Sequence, residues 1–196
     1  MYEWLEDSVR ESRYVFDSFS LDWSFQFNEP ASESEIEEYE LQTGLSLPHS
    51  YKLFLLKHNG AHLFCSEAAN LIFSGSSSLW ANSGILIFEM SATREYKKQI
   101  HRIYDVSEQL LLLPIAYLGR IGTGDFCSLD FGSFNGIENP VLDCNHEYSP
   151  EEWKDSVIAN SFEEWIRKIF ERIIRHKSLP EYWFKDTIYD NSLDSV

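Results

Sequence analysis

A helical pattern of apolar and polar positions organises the first third of the chain. Ile36 and Tyr39 fall on one side of a short segment whose other positions are mostly glutamates. Ser32 and Glu35 have the spacing of a capping box, in which each side chain bonds the backbone N–H of the other residue. Gly44 supplies the left-handed residue that commonly ends a helix. The pattern therefore predicts a capped, acidic helix that ends at Gly44.

A second helix is predicted after a Leu-Pro corner. Pro48 restricts Leu47 to extended angles, and its ring fits the first turn of the helix that follows. Asn59 and Gly60 form a turn that ends this helix. Its apolar face repeats at i, i+3, i+4 and i+7: Tyr51, Phe54, Leu55 and His58.

Shorter patterns predict the remaining elements. A helix is expected over about the first sixteen residues, and a period-two segment follows at 22–27. Short apolar runs predict strands at 61–64, 70–73, 85–88, 110–117, 126–131 and 141–144. Residues 145–160 form a loop or a last strand. Two further helices are expected, a surface helix at 91–104 and a long closing helix that follows a second capping box.

The order of these segments resembles the Smi1/Knr4 family, also called the SUKH superfamily. The resemblance rests on the helix pair and on LLPIAYLGRIGTGDFCSLDF, PVLDCNHE and IANSFEEWIRKIF, and it covers residues 29–172. It implies an α+β fold in which a mixed, mainly antiparallel sheet packs with the N-terminal helices and a C-terminal helix. The family-motif residues with structural roles are Leu47, Pro48, Tyr51, Leu55, Asn59 and Gly60.

The resemblance also divides the chain. Residues 1–28 are predicted to be an N-terminal extension, residues 29–176 the Smi1/Knr4-like domain, and residues 177–196 a C-terminal tail. One domain with modest additions is also what a length of 196 residues predicts.

Charge narrows the classes of partner. The chain has 32 acidic and 16 basic residues, which gives a formal net charge of −16. Such a field repels nucleic acids and anionic membranes, and it attracts basic proteins. Nucleic-acid and membrane binding are therefore not expected.

The cysteine pattern and the composition of the N-terminal residues predict a cytoplasmic protein. Cys65, Cys127 and Cys144 are odd in number and widely spaced, which favours reduced thiols over a disulfide framework. The first residues carry acids where a signal peptide needs Lys or Arg. The longest apolar run, residues 110–118, is interrupted by Pro114 and is too short to span a bilayer.

Two groups of residues could suggest chemistry. The glycines at 119, 122 and 124 lack the order of a phosphate-binding loop, so a hairpin turn is favoured, with Asp125 bonding backbone N–H groups. Asp143, Cys144, His146 and Glu147 are metal-capable types, but no further histidine completes a usual ligand set, and a strand end with polar caps is favoured.

His58 and His62 bracket the Asn-Gly turn. They are interpreted as a cation at a helix C-terminus and a turn residue rather than as a catalytic pair. No nucleophile elbow is present in the sequence. We assign no catalytic residue, no metal ligand and no cofactor.

Aromatic and acidic residues are interleaved along the chain, which is typical of protein interfaces with a few dominant aromatic contacts. The alternative for each aromatic residue is a place in the core beside solvated acids. The candidate partner-binding residues are Trp23, Trp80, Asp125, Glu147, Tyr148 and Trp153.

The resemblance implies a function. Its best-known bacterial members are immunity proteins, so we expect a non-catalytic protein that binds and neutralises a cognate polymorphic toxin, a basic protein such as a nuclease. One alternative is a regulatory scaffold like the fungal regulators of cell-wall synthesis. A second is a metal-assisted hydrolase that uses Asp143 and His146. The sequence leaves the oligomeric state open.

Overall fold

The computed structural model describes residues 2–17, 23–66, 84–107, 110–119, 125–133 and 136–176. Within them, seven strands form one sheet with the strands in chain order, and every pairing is antiparallel. The strands are β1 Trp23–Phe27, β2 Ala61–Ser66, β3 Gly84–Ile87, β4 Leu112–Gly119, β5 Phe126–Asp130, β6 Val141–Cys144 and β7 Val157–Ala159. The helices are α1 Trp4–Asp17, α2 Glu33–Thr43, α3 His49–Leu55, α4 Met90–Tyr104 and α5 Phe162–His176.

This architecture confirms the predicted α+β fold, in which a sheet packs with N-terminal helices and a C-terminal helix. The sheet was predicted to be mixed and mainly antiparallel, and all pairings of the described strands are antiparallel. The predicted central hairpin is β4 with β5, where Leu113 pairs with Leu129 and Tyr117 pairs with Phe126. Every residue of β5 is buried, as its continuous apolar run predicts. The strand predicted at 70–73, the glycine turn at 120–124 and the tail from 177 lie outside the described residues.

The helix pair α2 and α3 forms as the capping residues predict. The backbone N–H of Ser32 donates to Oε2 of Glu35 at 2.7 Å, and the N–H of Glu35 donates to Oγ of Ser32 at 3.3 Å. Gly44 has a φ of +68° and donates its N–H to the carbonyl of Glu40 at 2.8 Å. Pro48 differs slightly from its predicted place, because it occupies the N-cap position rather than the first turn of α3.

The Asn59-Gly60 turn joins three parts of the fold. The side-chain amide of Asn28, just after β1, donates to the carbonyl of Asn59 at 2.9 Å, and Oδ1 of Asn59 accepts the N–H of Met90 at the start of α4 at 2.9 Å. Gly60 adopts a φ of +96°. The motif residues that precede the turn, Leu47, Tyr51 and Leu55, are buried. The motif therefore holds the helix pair, β1 and α4 in place.

The main core lies on one face of the sheet, where α1, α3 and α5 pack together. Phe54 of α3 contacts Phe162 of α5, with ring centroids 5.0 Å apart. Trp4 of α1 donates from Nε1 to Glu163 of α5 at 3.2 Å, and its ring lies 6.3 Å from that of Phe170. The first helix thus packs against the closing helix. None of the helices among the described residues is long and apolar enough to cross a membrane.

A smaller cluster of buried residues, here called the second core, lies on the opposite face. Alternate residues of β6 point to opposite faces, so Val141 joins the main core while Leu142 joins the second. The second core brings together α4, β4, β5, β6 and the segment before β7. Its buried members are Ile100, Val106, Leu110, Leu112, Phe126, Leu142, Cys144 and Trp153.

Candidate protein-binding surface

The segment between β6 and β7, residues 145–156 and here called the β6–β7 loop, is organised by the buried Asn145. Its backbone carbonyl accepts the indole N–H of Trp153 at 2.9 Å and the backbone N–H of Tyr148 at 3.1 Å. Its side-chain Oδ1 accepts the N–H of Glu147 at 2.8 Å. One buried amide residue therefore fixes both the turn at the start of the loop and the indole near its end.

Trp153 is a core residue and not an exposed anchor. Its side chain is 0% exposed, and it lies edge-on to Phe126 at 5.2 Å and to Tyr104 at 5.5 Å. The sequence allows each aromatic residue to be either an interface contact or a core residue. The burial of Trp153 supports a place in the core. A direct contact of the indole with a partner is excluded in this conformation.

Asp125 is also fully buried. Its carboxylate accepts the backbone N–H of His146 at 3.1 Å and lies 2.7 Å from Nδ1 of the same residue. The expected chemistry, a carboxylate that bonds backbone N–H groups, is present. The N–H group belongs to His146 in the β6–β7 loop, and residues 120–124 of the glycine turn lie outside the described residues. Asp125 is therefore a buried residue that holds the start of the β6–β7 loop in place.

The middle of the loop is held by a local hydrogen-bonded motif. The backbone N–H and the hydroxyl of Ser149 both donate to Oε2 of Glu152 at 2.8 Å. These two bonds lower the pKa of Glu152. They precede a short 3-10 helix at Glu152–Asp155, which carries Trp153 into the second core.

The exposed part of the loop includes Glu147 and Tyr148, the latter with half of its side-chain surface accessible. Four of the six candidate residues thus come together in one place, two as buried supports and two at the surface. Trp23 begins β1, but its side chain lies outside the described part of the structure, and so does the whole of Trp80. Sequence reasoning did not single out Asn145, although an Asn that bonds the N–H two residues later is a known turn pattern.

The residues considered for metal or nucleophilic chemistry are dispersed. Asp143 lies on β6 opposite Cys127, whereas His146 turns to Asp125. Among the described residues, no three His, Cys, Asp or Glu side chains form a group that could hold a metal ion. Burial raises the pKa of the Cys144 thiol well above its usual value, so this cysteine stays protonated.

His58 does not serve as a helix-end cation. Burial, with a smaller contribution from Lys57, lowers its pKa and so favours the neutral imidazole. The ring packs against Phe27 with centroids 4.5 Å apart. His62 lies within β2 instead of a turn, and burial lowers its pKa as well. Both histidines are better described as half-buried packing residues.

The fold and the motif residues define a small α+β domain, and comparison with known proteins identifies its family. The chain belongs to the SMI1 / KNR4 family (SUKH-1), which it matches over residues 30–168. A curated relative is the uncharacterized protein YnaB of Bacillus subtilis (strain 168). The two are 29% identical over 155 residues, which cover 74% of this chain and 88% of YnaB.

Proposed function

We propose that this protein is a non-catalytic immunity protein that binds and neutralises a cognate basic toxin of the polymorphic type. The observation that carries the proposal is the β6–β7 loop, in which Tyr148 and Glu147 are exposed above the buried Asp125, Asn145 and Trp153. Family membership supports a protein partner, because the family is generally non-catalytic and its best-known bacterial members are immunity proteins.

The loop has the properties of a preorganised contact. Its turn is fixed by hydrogen bonds to Asn145 and Asp125, so little conformational freedom is lost when a partner binds. Tyrosine is enriched among the residues that dominate binding energy at interfaces. Exposed carboxylates of Glu147, Glu151 and Asp155 lie along the same loop, and they suit a partner with basic residues around an apolar centre.

The overall charge supports the same class of partner. A formal charge of −16 attracts a basic protein over long range. Toxins that cleave nucleic acids carry basic clefts for a polyanionic substrate, and an acidic protein that covers such a cleft blocks substrate entry. We therefore propose occlusion of the toxin's active site as the mechanism.

The test uses the C-terminal domain of the protein encoded beside this gene as the candidate toxin. Co-expression of the parent protein should restore growth, and the purified pair should form a one-to-one complex. Tyr148→Ser should weaken binding by about tenfold or more, as expected for a dominant aromatic contact. Tyr14→Ser is the matched control, because Tyr14 is similarly exposed but lies on α1.

A toxin domain that stays fully active at saturating parent protein would overturn the proposed function. Equal effects of the two tyrosine substitutions would remove the β6–β7 loop from the interface while leaving the immunity function intact.

A further inference from the structure

The helices α2 and α4 carry opposite charges. α2 contains five glutamates and no basic residue. α4 contains four lysines and arginines and a single acid, Glu95. The whole chain has 32 acidic and 16 basic residues, so α4 reverses the balance of charge found in the rest of the protein.

Direct contacts join the two helices. The hydroxyl of Tyr39 on α2 lies 2.7 Å from Oγ1 of Thr93 on α4, and both residues are buried. Beside this contact, the guanidinium of Arg94 donates to Oε1 of Gln42 at 2.8 Å. Nε2 of Gln42 donates in turn to Oε1 of Glu38 at 2.8 Å. One amide side chain therefore links a glutamate of α2 to an arginine of α4.

Exposed side chains continue this surface along both helices. On α4, Lys98 and Arg102 follow Arg94 at intervals of four residues, so three exposed bases share one side of the helix. On α2, Leu41 lies within one turn of Glu38 and is 86% exposed. We call this surface the α2–α4 face. Its acidic half consists of Glu37, Glu38 and Leu41, and its basic half consists of Arg94, Lys98 and Arg102.

A surface with one acidic and one basic half is complementary to a second copy of itself. A two-fold axis through the link between Gln42 and Arg94 places each acidic half opposite the basic half of the other molecule. Every contact then forms twice. Leu41, which is the most exposed of the large apolar side chains in the described residues, adds apolar area that association removes from water.

The net charge opposes this association, and ionic strength decides which effect is larger. Two molecules with a formal charge of −16 repel each other over long range. Charges more than about 8 Å apart are largely screened at physiological ionic strength. Opposed side chains in contact lie well within that distance, so their attraction persists when the long-range repulsion is screened.

We propose that the protein forms a symmetric homodimer through the α2–α4 face. The inference goes beyond the proposed function, because it requires no toxin and its test contains none. The dissociation constant is expected to be on the order of 10–100 μM, as suits a small and mostly polar interface.

Sedimentation equilibrium of the full chain in about 150 mM salt measures the dimer, because long-range repulsion is screened there. The base-reversed variant is Lys98→Glu with Arg102→Glu. The control variant is Arg10→Glu with Arg13→Glu, which makes the same change of charge at exposed residues of α1. The base-reversed variant should raise the dissociation constant about tenfold or more, and the control should stay within about twofold of the parent.

A mixing experiment tests whether the two halves face each other. The acid-reversed variant is Glu37→Lys with Glu38→Lys, both at exposed positions. Each reversed variant alone presents two halves of predominantly one sign, so neither should dimerise. A mixture of the acid-reversed and base-reversed variants has complementary faces and the same total charge as two parent molecules. The mixture should therefore form a heterodimer within about threefold of the affinity of the parent dimer.

Thermal melting of each variant shows that it is folded. A parent protein that stays monomeric at about ten times the expected dissociation constant would overturn the homodimer. Equal dissociation constants for the base-reversed and control variants would overturn the α2–α4 face as its interface. A mixture of folded reversed variants that does not associate would overturn the pairing of acidic with basic halves. None of these results bears on whether a toxin is neutralised, so the proposed function is tested separately.

Discussion

The carboxylate of Asp125 lies 2.7 Å from Nδ1 of His146 and also accepts the backbone N–H of that residue. Asp125 directly precedes β5, and His146 follows β6 by two residues. The pair therefore ties the start of the β6–β7 loop to the adjacent strand. The imidazole side chain is 37% exposed whereas the carboxylate is fully buried. The buried Asp125 therefore fixes the position of the more exposed His146.

Removing this carboxylate should loosen the loop. Asp125→Ala leaves the His146 N–H without this acceptor and should cost about 1–3 kcal/mol of unfolding free energy. Asp125→Asn keeps a carbonyl oxygen and should cost less. Urea unfolding measures both values, and the rate constants with the toxin domain report the effect on the loop. An Asp125→Ala protein as stable as the parent would contradict the anchoring role.

The tryptophan of the loop should matter for folding, and the tyrosine for binding. Trp153→Ala removes a fully buried indole and should cost about 3–5 kcal/mol. Tyr148→Ala removes an exposed side chain and should change stability by no more than about 0.5 kcal/mol. Chemical denaturation of the two variants gives the comparison. Similar losses of stability in both variants would contradict the assignment of Trp153 to the core and of Tyr148 to the exposed surface.

Local chemistry made much of the fold predictable. The capping residues Ser32 and Glu35 and the glycine at 44 mark a helix because their partners lie within a few residues. The continuous apolar runs of β4 and β5 indicate burial for the same local reason. Such signals were enough for the helix pair, the central hairpin and the closing helix.

The geometry of the candidate site could not be predicted from the sequence, because it depends on contacts between residues that are distant in the chain. Trp153 is buried because Phe126 and Tyr104 lie far from it in sequence but close in the fold. The acidic residues near it in the sequence, Glu152 and Asp155, are consistent with either an exposed or a buried tryptophan. The pairing of Asp125 with His146 joins residues 21 positions apart across two strands. No periodicity or spacing within the chain indicates such pairs.

Gly44, which caps α2, and Gly60, which directly precedes β2, should respond differently to an added side chain. A Cβ at Gly60 would meet Nδ2 of Asn28 at 2.9 Å and the backbone of Ile87 and Glu89 at 3.0 Å, and φ is +96°. A Cβ at Gly44 would meet nothing within 4 Å, although φ is +68°. Gly44→Ala should therefore cost only its backbone strain, about 1–2 kcal/mol, and Gly60→Ala should cost more. Equal midpoints in denaturant would contradict the crowding at Gly60.

Half-buried His58 should make stability depend on pH. Its folded pKa lies below the unfolded value of about 6.5, because burial disfavours the charged ring. Between the two pKa values the unfolded chain binds more protons, so stability rises with pH. The contribution is fully present above pH 6.5 or so and is lost as the pH falls through the folded pKa. His58→Gln should therefore show a smaller fall in melting temperature between pH 7.5 and pH 5.

Nuclear magnetic resonance titration of the imidazole provides a direct check on this prediction. A His58 pKa at or above the value in an unstructured peptide would contradict it. His62, whose pKa is also lowered by burial, should keep part of the pH dependence in the His58→Gln variant.

The last prediction concerns charge at the proposed interface. With a formal charge of −16, association with a basic toxin domain should be electrostatically steered, with an on-rate approaching about 10⁸ M⁻¹s⁻¹ at low salt. Exposed charges are screened beyond about 8 Å at physiological ionic strength, so added salt should slow association steeply.

Glu147→Lys with Glu151→Lys should slow association more than Glu3→Lys with Glu11→Lys, although both variants change the net charge equally. Glu147 and Glu151 are exposed on the β6–β7 loop, whereas Glu3 and Glu11 are exposed at the start of the chain and on α1. Stopped-flow measurements over a range of salt concentrations separate the two effects. A salt-independent on-rate would remove electrostatic steering, and equal slowing by both pairs would mean that total charge, and not the carboxylates of the loop, guides the partner.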